Sequence, residues 1–372
     1  MIKALGLNGT ECLVRDSVSA CISDVASAGG TVPTLSQRVF WSLANSGLLA
    51  APLSAELGGM GEGLGTALLV LEPLGRKALV TPFVERLCVP AAVAEFYPQC
   101  EDLRKHLQSA ANAGAGAAMA WTEVGRGWNR VPKLTTAIRD ADAWRLEGTK
   151  TLVRWGDQAA AFLVTAQSDG NPALFLVSAD LEGVETKSYP SGDGRTITDI
   201  IFRNVELPIN SRMDDGYAQK VIEYALDVGA ALSLAEAVGL MDGALEMTVK
   251  YLKTREQFGT ALSKMQALQH RLVEMYASTE CAWSLVHEAV CLLREDVPPG
   301  DRASAVSRAK AYVGRLGRIL GQEALQMHGA IGMTDEYPLG RYLQRLTAIE
   351  LDYGGSDWHL ERLSQEMQDT GQ

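Results

Sequence analysis

The chain changes its hydrophobic period twice. Up to about residue 115 apolar positions recur at helical spacing, as in Phe40, Leu43, Leu48 and Leu49. A glycine-rich break follows at Leu57-Gly58-Gly59-Met60-Gly61. A second helical run covers Thr66 to Leu74, and a third, after Pro82, carries Val89, Ala92, Val93 and Phe96. From about 117 to 212 the texture is short β-branched and aromatic runs, such as Ala161-Phe162-Leu163-Val164-Thr165 and Ile200-Ile201-Phe202. Turn sequences such as Asp169-Gly170-Asn171-Pro172 separate them, which predicts an antiparallel β domain. Beyond 213 the helical signal returns. Residues 216–254 hold no proline, and Ile222, Leu226, Gly229, Ser233, Glu236 and Leu240 share one helical face. Long helices are expected around 262–295 and 300–330, with a last one from about 336. The fold class is therefore α+β: an N-terminal helical domain (1–116), a middle β domain (117–212) and a C-terminal helical bundle (213–372).

Composition narrows the class. The chain has 372 residues, 47% apolar and 21% charged, which excludes a disordered or fibrous chain. With 34 Lys plus Arg against 45 Asp plus Glu, the net charge is −11, which argues against nucleic acid as a partner. The six cysteines show no CxxC spacing and read as buried free thiols of a reducing compartment, with disulfides the second reading. The five histidines form no HExxH pattern, so no metal site is expected. No basic region followed by an apolar run opens the chain. The low-charge stretch Val228 to Leu240 reads as too short and too polar for a membrane span. A cytoplasmic location is the expectation.

Two strings carry chemistry. Gly59-x-Gly61-x-Gly63-x-Gly65 does not, because no strand precedes it; it reads as an interhelical loop. Arg255-Glu256-Gln257-Phe258-Gly259, followed by Gln266, closes the long proline-free helix. There an arginine suits a pyrophosphate, and a phenylalanine suits a flat ring. Gln326-Met327-His328-Gly329-Ala330-Ile331-Gly332 has glycines that let backbone approach a ligand. The default for His328 is a satisfied structural residue.

Together these strings resemble the FAD-dependent acyl-CoA dehydrogenases over nearly the whole chain. Phe40 to Leu48, Glu56 to Gly61, Leu74-Gly75-Arg76, Trp121-Thr122-Glu123 and Glu147-Gly148-Thr149-Lys150 extend the likeness. The resemblance implies a helical domain, a β domain and a four-helix bundle. It implies desaturation of an acyl-CoA thioester, with a carboxylate taking the alpha proton and FAD the hydride. It places Thr122 near the isoalloxazine. It assigns Arg255, Phe258, Gln266, Gln326 and Gly329 to the adenosine and pyrophosphate part of FAD, across a subunit interface.

The resemblance fails at the base. The usual catalytic Glu position falls on Tyr353 in Leu351-Asp352-Tyr353-Gly354-Gly355, and the alternative position falls on Gly229. The strand that offers Trp and Thr to the flavin reads Leu152-Val153-Arg154-Trp155, and a family serine is replaced within Gly127-Trp128-Asn129. An arginine that contacts CoA in relatives falls on Ala230, whereas Asp227 matches a family aspartate at that ligand. Asp227, Glu350 and Asp352 remain as candidate displaced bases. Three readings follow. The first is a subunit of a heteromeric bacterial acyl-CoA dehydrogenase of the steroid side-chain type, completing the flavin site for a Glu-bearing homologous partner and passing electrons to a transfer acceptor. The second is a self-sufficient homomer with a displaced base. The third is a flavin-free structural relative.

Overall fold

The computed structural model describes residues 9–370 except 28, 30, 141, 214, 215 and 295. Helices α1 (Gly9–Ser27), α2 (Val32–Asn45), α3 (Leu68–Arg76), α4 (Val89–Phe96) and α5 (Glu101–Ala111) come first. Seven strands follow: β1 (Ala117–Ala120), β2 (Thr136–Asp140), β3 (Ala143–Arg154), β4 (Ala161–Ser168), β5 (Asn171–Ser178), β6 (Val184–Pro190) and β7 (Thr196–Pro208). Helix α6 (Ala218–Thr254) leads to the hairpin β8 (Glu256–Gln257) and β9 (Thr260–Ala261). Helices α7 (Gln266–Cys291), α8 (Pro299–His328), α9 (Leu339–Leu351) and α10 (Ser356–Thr370) end the chain. The expected order, helical then β then helical, is the observed one. The expected last helix from 336 is two helices, broken at Asp352–Gly355.

By contacts the chain forms two units. One holds the residues up to Ser36, Gly65–Val80 and those from Ala230 onward; the other holds Gln37–Leu64 and Thr81–Gly229. The second unit carries the sheet, in the order β1-β4-β2-β3-β7-β6 with β5 beside β4. It is antiparallel apart from the β1–β4 and β2–β4 pairings, which are parallel. Alternating inward residues build its core: Trp144, Phe162, Phe175 and Phe202 are buried together. Bulges interrupt β3 beside Gly148 and again between Lys150 and Val153. The second turns Leu152 into the left-handed region (φ 57°).

In the first unit α8 packs on α7, α9 and α10. Small residues of α6 serve close packing, as the sequence suggests. A Cβ on Gly239 would overlap the backbone carbonyl of Glu72 in α3, and one on Gly75 would overlap that of Glu236. The stretch Val228 to Leu240 lies within α6, the helix expected across the proline-free residues 216–254. By length and composition α6 could span a bilayer, with a mean hydropathy of 1.4 in its most apolar window. That window is 94% buried inside the protein, which makes α6 a core helix. The cysteines also differ from expectation. Of the six only Cys88 is buried; Cys12, Cys21 and Cys100 are partly buried, and Cys281 and Cys291 are exposed.

Candidate functional site

In the sheet-bearing unit the turn after β1 carries Thr122 and Glu123, both buried. Glu123 accepts N–H bonds from three successive residues, Lys133, Leu134 and Thr135, at 2.9 to 3.0 Å. Lys150 of β3 is fully buried and donates to Glu123 at 2.9 Å, to Thr165 at 3.0 Å and to the Trp121 carbonyl at 3.4 Å. Burial works against the Glu123 carboxylate, but the Lys150 charge and the backbone donors outweigh it and hold its pKa at about 2. Burial lowers Lys150 to about 8, against the pull of Glu123. The pair clamps the residues on either side of Thr122.

Beside this clamp lies a cavity of about 420 Å³ lined by Thr122, Gly125, Trp128, Leu152, Tyr189 and Asp199. The Thr122 hydroxyl donates to the Thr151 carbonyl, and Thr151 N–H donates back to the Thr122 carbonyl at 3.0 Å. That hydroxyl is left as an acceptor only. Asp199 accepts from Tyr189 Oη at 3.1 Å and from Leu152 N–H at 3.2 Å. Trp128 stands 6.3 Å, ring to ring, from Trp121.

Asp227 lies in the same unit and does not reach this cavity. Its side chain is fully buried, and its carboxylate takes Arg130 Nη1 at 2.7 Å; the same nitrogen holds Glu223 at 2.7 Å. Gly229 follows half a turn later on α6, and Ala230 is buried.

In the other unit the motif residues gather at the ends of α6 and α8. Arg255 follows α6 directly, is exposed and has no ion pair among the described residues. Phe258 sits at the tip of the β8–β9 hairpin, 90% exposed. Both tip residues are left-handed, Phe258 at φ 54° and Gly259 at φ 76°, the turn that favours Asn-Gly. A bulky aromatic held there, open to solvent, is costly unless something covers it. Gly259 is thus a hairpin residue beyond the end of α6. Gln266 opens α7, exposed; Gln326 is exposed in the last turn of α8, and Gly329 ends that helix at φ 65°. A free guanidinium, an uncovered ring and two exposed amides fit the pyrophosphate and adenosine of a dinucleotide. His328 is buried, stacked on Tyr251 at 4.4 Å.

The α9–α10 break carries the remaining candidates. Tyr353 is buried and left-handed at φ 58°. Asp352 is buried and faces Arg345 Nη1 at 3.5 Å; Arg345 binds Glu236 of α6 through two bonds of 2.6 Å. Glu350 receives Arg318 at 2.8 Å. The fully buried Lys310 of α8 donates to the carbonyls of Ile349 (2.7 Å), Glu350 (3.3 Å) and Asp352 (2.6 Å), satisfying the C-terminal end of α9. Each of the three carboxylates considered as a displaced base therefore has a cation on it.

Sequence reasoning missed the cations that occupy these carboxylates. Arg130, Lys150 and Arg345 lie seven to 109 residues from their acidic partners. Glu236 was legible as one face of α6, but its partner was not.

Residues 219–368 match the acyl-CoA dehydrogenase C-terminal domain. The acryloyl-CoA reductase (NADH) of Anaerotignum propionicum is 27% identical over 342 residues, covering 88% of this chain and 86% of its own. The Tcur3481-Tcur3483 steroid ACAD superposes with a TM-score of 0.86 at 29% identity, covering 97% of this chain and 98% of the other. A chain of the ChsE4-ChsE5 complex from Mycobacterium tuberculosis shares the fold, with a TM-score of 0.82 at 24% identity over 95% of this chain and 97% of its own.

Proposed function

Because the chain belongs to the acyl-CoA dehydrogenase family, we propose that it is the subunit of an FAD-dependent, heteromeric acyl-CoA dehydrogenase that completes the flavin site of a Glu-bearing homologous partner. The observation that carries this reading is the state of its carboxylates. The two family base positions hold Tyr353 and Gly229, and Asp227, Glu350 and Asp352 are paired with Arg130, Arg318 and Arg345. A general base needs a carboxylate oxygen free to reach the substrate proton. The same pairing weakens the homomer reading.

Arg255, Phe258, Gln266, Gln326 and Gly329 would hold the adenosine and pyrophosphate part of FAD. Arg255 supplies positive charge against the pyrophosphate, which an overall charge of −11 makes a local requirement. The Gln266 and Gln326 amides donate beside it, and Gly329 admits close backbone approach. Bound FAD supplies hydride acceptance. The proton is then taken by the partner's carboxylate. Thr122, clamped by Glu123 and Lys150, gives this chain's own β domain a ring-sized cavity, but with an acceptor in place of a hydroxyl donor.

The likeness to the steroid complex supports a bulky acyl-CoA as substrate class; the reading adds a transfer acceptor for the electrons and a cytoplasmic location. Co-expression with a Glu-bearing homologous subunit tests the reading. The expected result is a yellow complex whose flavin is bleached by acyl-CoA, and a single chain that is colourless or inert. A purified homomer bleached at the rate of the complex sinks it.

A further inference from the structure

Two strings far apart in the sequence meet in one side-chain stack. Tyr251 of α6 lies ring on ring with His328 of α8, centroids 4.4 Å apart at 25°. Its hydroxyl donates to the His328 carbonyl at 3.2 Å, and its own carbonyl accepts the Arg255 amide at 2.8 Å. One residue thus ties the approach to Arg255 to the exit of α8, where Gln326 and Gly329 lie. His328 Nδ1 is 2.8 Å from the Ala324 carbonyl. A carbonyl only accepts, so Nδ1 carries the proton. Nε2 is buried and has no hydrogen-bond partner among the described residues. Tyr337 closes the side of the ring at 5.1 Å.

We propose that His328 is a positioning residue, which through Tyr251 fixes Arg255 against Gln326 and Gly329, and that it does so only as a neutral imidazole. The proposal rests on the reading that these two strings hold one cofactor. Protonating Nε2 would place a charged N–H, without an acceptor, between two aromatic rings in the interior. The titratable groups facing it are Tyr251 from α6, whose hydroxyl donates to the His328 carbonyl, and Tyr337, whose phenol burial pushes up. Burial lowers the His328 pKa from 6.5, and the bond to Ala324 opposes it only in part. The unfolded chain then binds the proton first as pH falls. The stack is complete above 6.5 and is weakened as pH drops below that value.

Hydrogen exchange by mass spectrometry on the full chain, in its purified complex, tests this. From about pH 7.5 to about pH 5.5, corrected for intrinsic rates, the segments around Arg255 and around Gln326–Gly332 should loosen together. His328→Phe keeps a ring in the stack and removes the titration, so this pH response should vanish. Tyr251→Phe removes one hydrogen bond and should speed exchange about fivefold in both segments at neutral pH. Flavin release, followed by fluorescence, should accelerate over the same acid range in the wild type alone. An unchanged pH response in His328→Phe overturns the proposal. So does Tyr251→Phe loosening only one segment. A complex without flavin contradicts the cofactor reading instead, and the exchange comparison still decides the role of His328.

Discussion

Asp227 and Arg130 form a buried pair at 2.7 Å, with the aspartate side chain wholly out of solvent. By resemblance this aspartate meets the CoA portion of the ligand; in this chain it meets an arginine from the β-domain turn. Breaking a buried pair by removing one charge costs about 3–5 kcal/mol. Asp227→Asn should therefore lower the unfolding midpoint of the complex. The rate of flavin bleaching per folded, flavin-loaded complex should stay within about twofold, because a paired carboxylate does no proton transfer. Scanning calorimetry and stopped-flow absorbance separate the two effects. A drop of about a hundredfold or more at full flavin loading would make Asp227 the base.

By resemblance, Tyr353 stands at the position of the catalytic Glu. A phenol with a reference pKa of about 10 is a poor base near neutral pH. Tyr353→Phe should leave bleaching of the complex by acyl-CoA unchanged within about twofold. A loss of about a hundredfold would give the phenol a chemical role after all.

The Glu123–Lys150 clamp predicts an acid limb. The Glu123 pKa is held at about 2 against an ordinary 4.5, so its contribution to stability is present above 4.5 and is lost as pH falls toward 2. Lys150 runs the other way. Its pKa is lowered from 10.5 to about 8, so folding disfavours the charged amine, and stability rises with pH between those values. Glu123→Gln should flatten the acid limb of a urea-midpoint profile, while leaving the alkaline rise in place. An acid limb as steep as in the wild type would show that other carboxylates set it.

The order of helices and strands was legible because hydrophobic period changes at 117 and 213 follow from burial on one face, and burial is what a sequence records most directly. The string proposed to hold the cofactor is local: Arg255 and Phe258 precede and tip one hairpin, and Gln266 opens the next helix. What stayed hidden depends on distant partners. The pairing of Glu236 with Arg345 spans 109 residues, and nothing local distinguishes Arg345 from a solvated charge. Asp227 looked available as a base for the same reason. Asp227 and Glu236 interrupt the apolar run of α6 in sequence, and each is neutralised by a partner in space.

At the α3–α6 crossing no side chain can be added. A methyl group on Gly239 would strike the Glu72 carbonyl and reach within 2.9 Å of the Arg76 amide, both backbone atoms that cannot rotate away. Gly239→Ala should destabilise the chain by about 3 kcal/mol or more, the upper range for overpacking. Loss of soluble expression, or a clear fall in urea midpoint, checks it. A neutral outcome would mean that the helices separate there at little cost.

Phe258 sets stability against function. It occupies the first left-handed position of a two-residue hairpin, at φ 54°, where asparagine is favoured and a bulky aromatic is strained by about 1 kcal/mol. With 90% of its surface open, it contributes no packing within the chain. Phe258→Asn should therefore raise the urea midpoint of the isolated chain. The same change should lower the flavin retained by the complex, because the ring that would cover the adenosine part is gone. Flavin per complex after gel filtration, measured beside the midpoint, reads both signs. If the variant is more stable and keeps its flavin, the hairpin tip does not touch the cofactor. If it is less stable, something in the chain covers Phe258, and the strain at its backbone has a different origin.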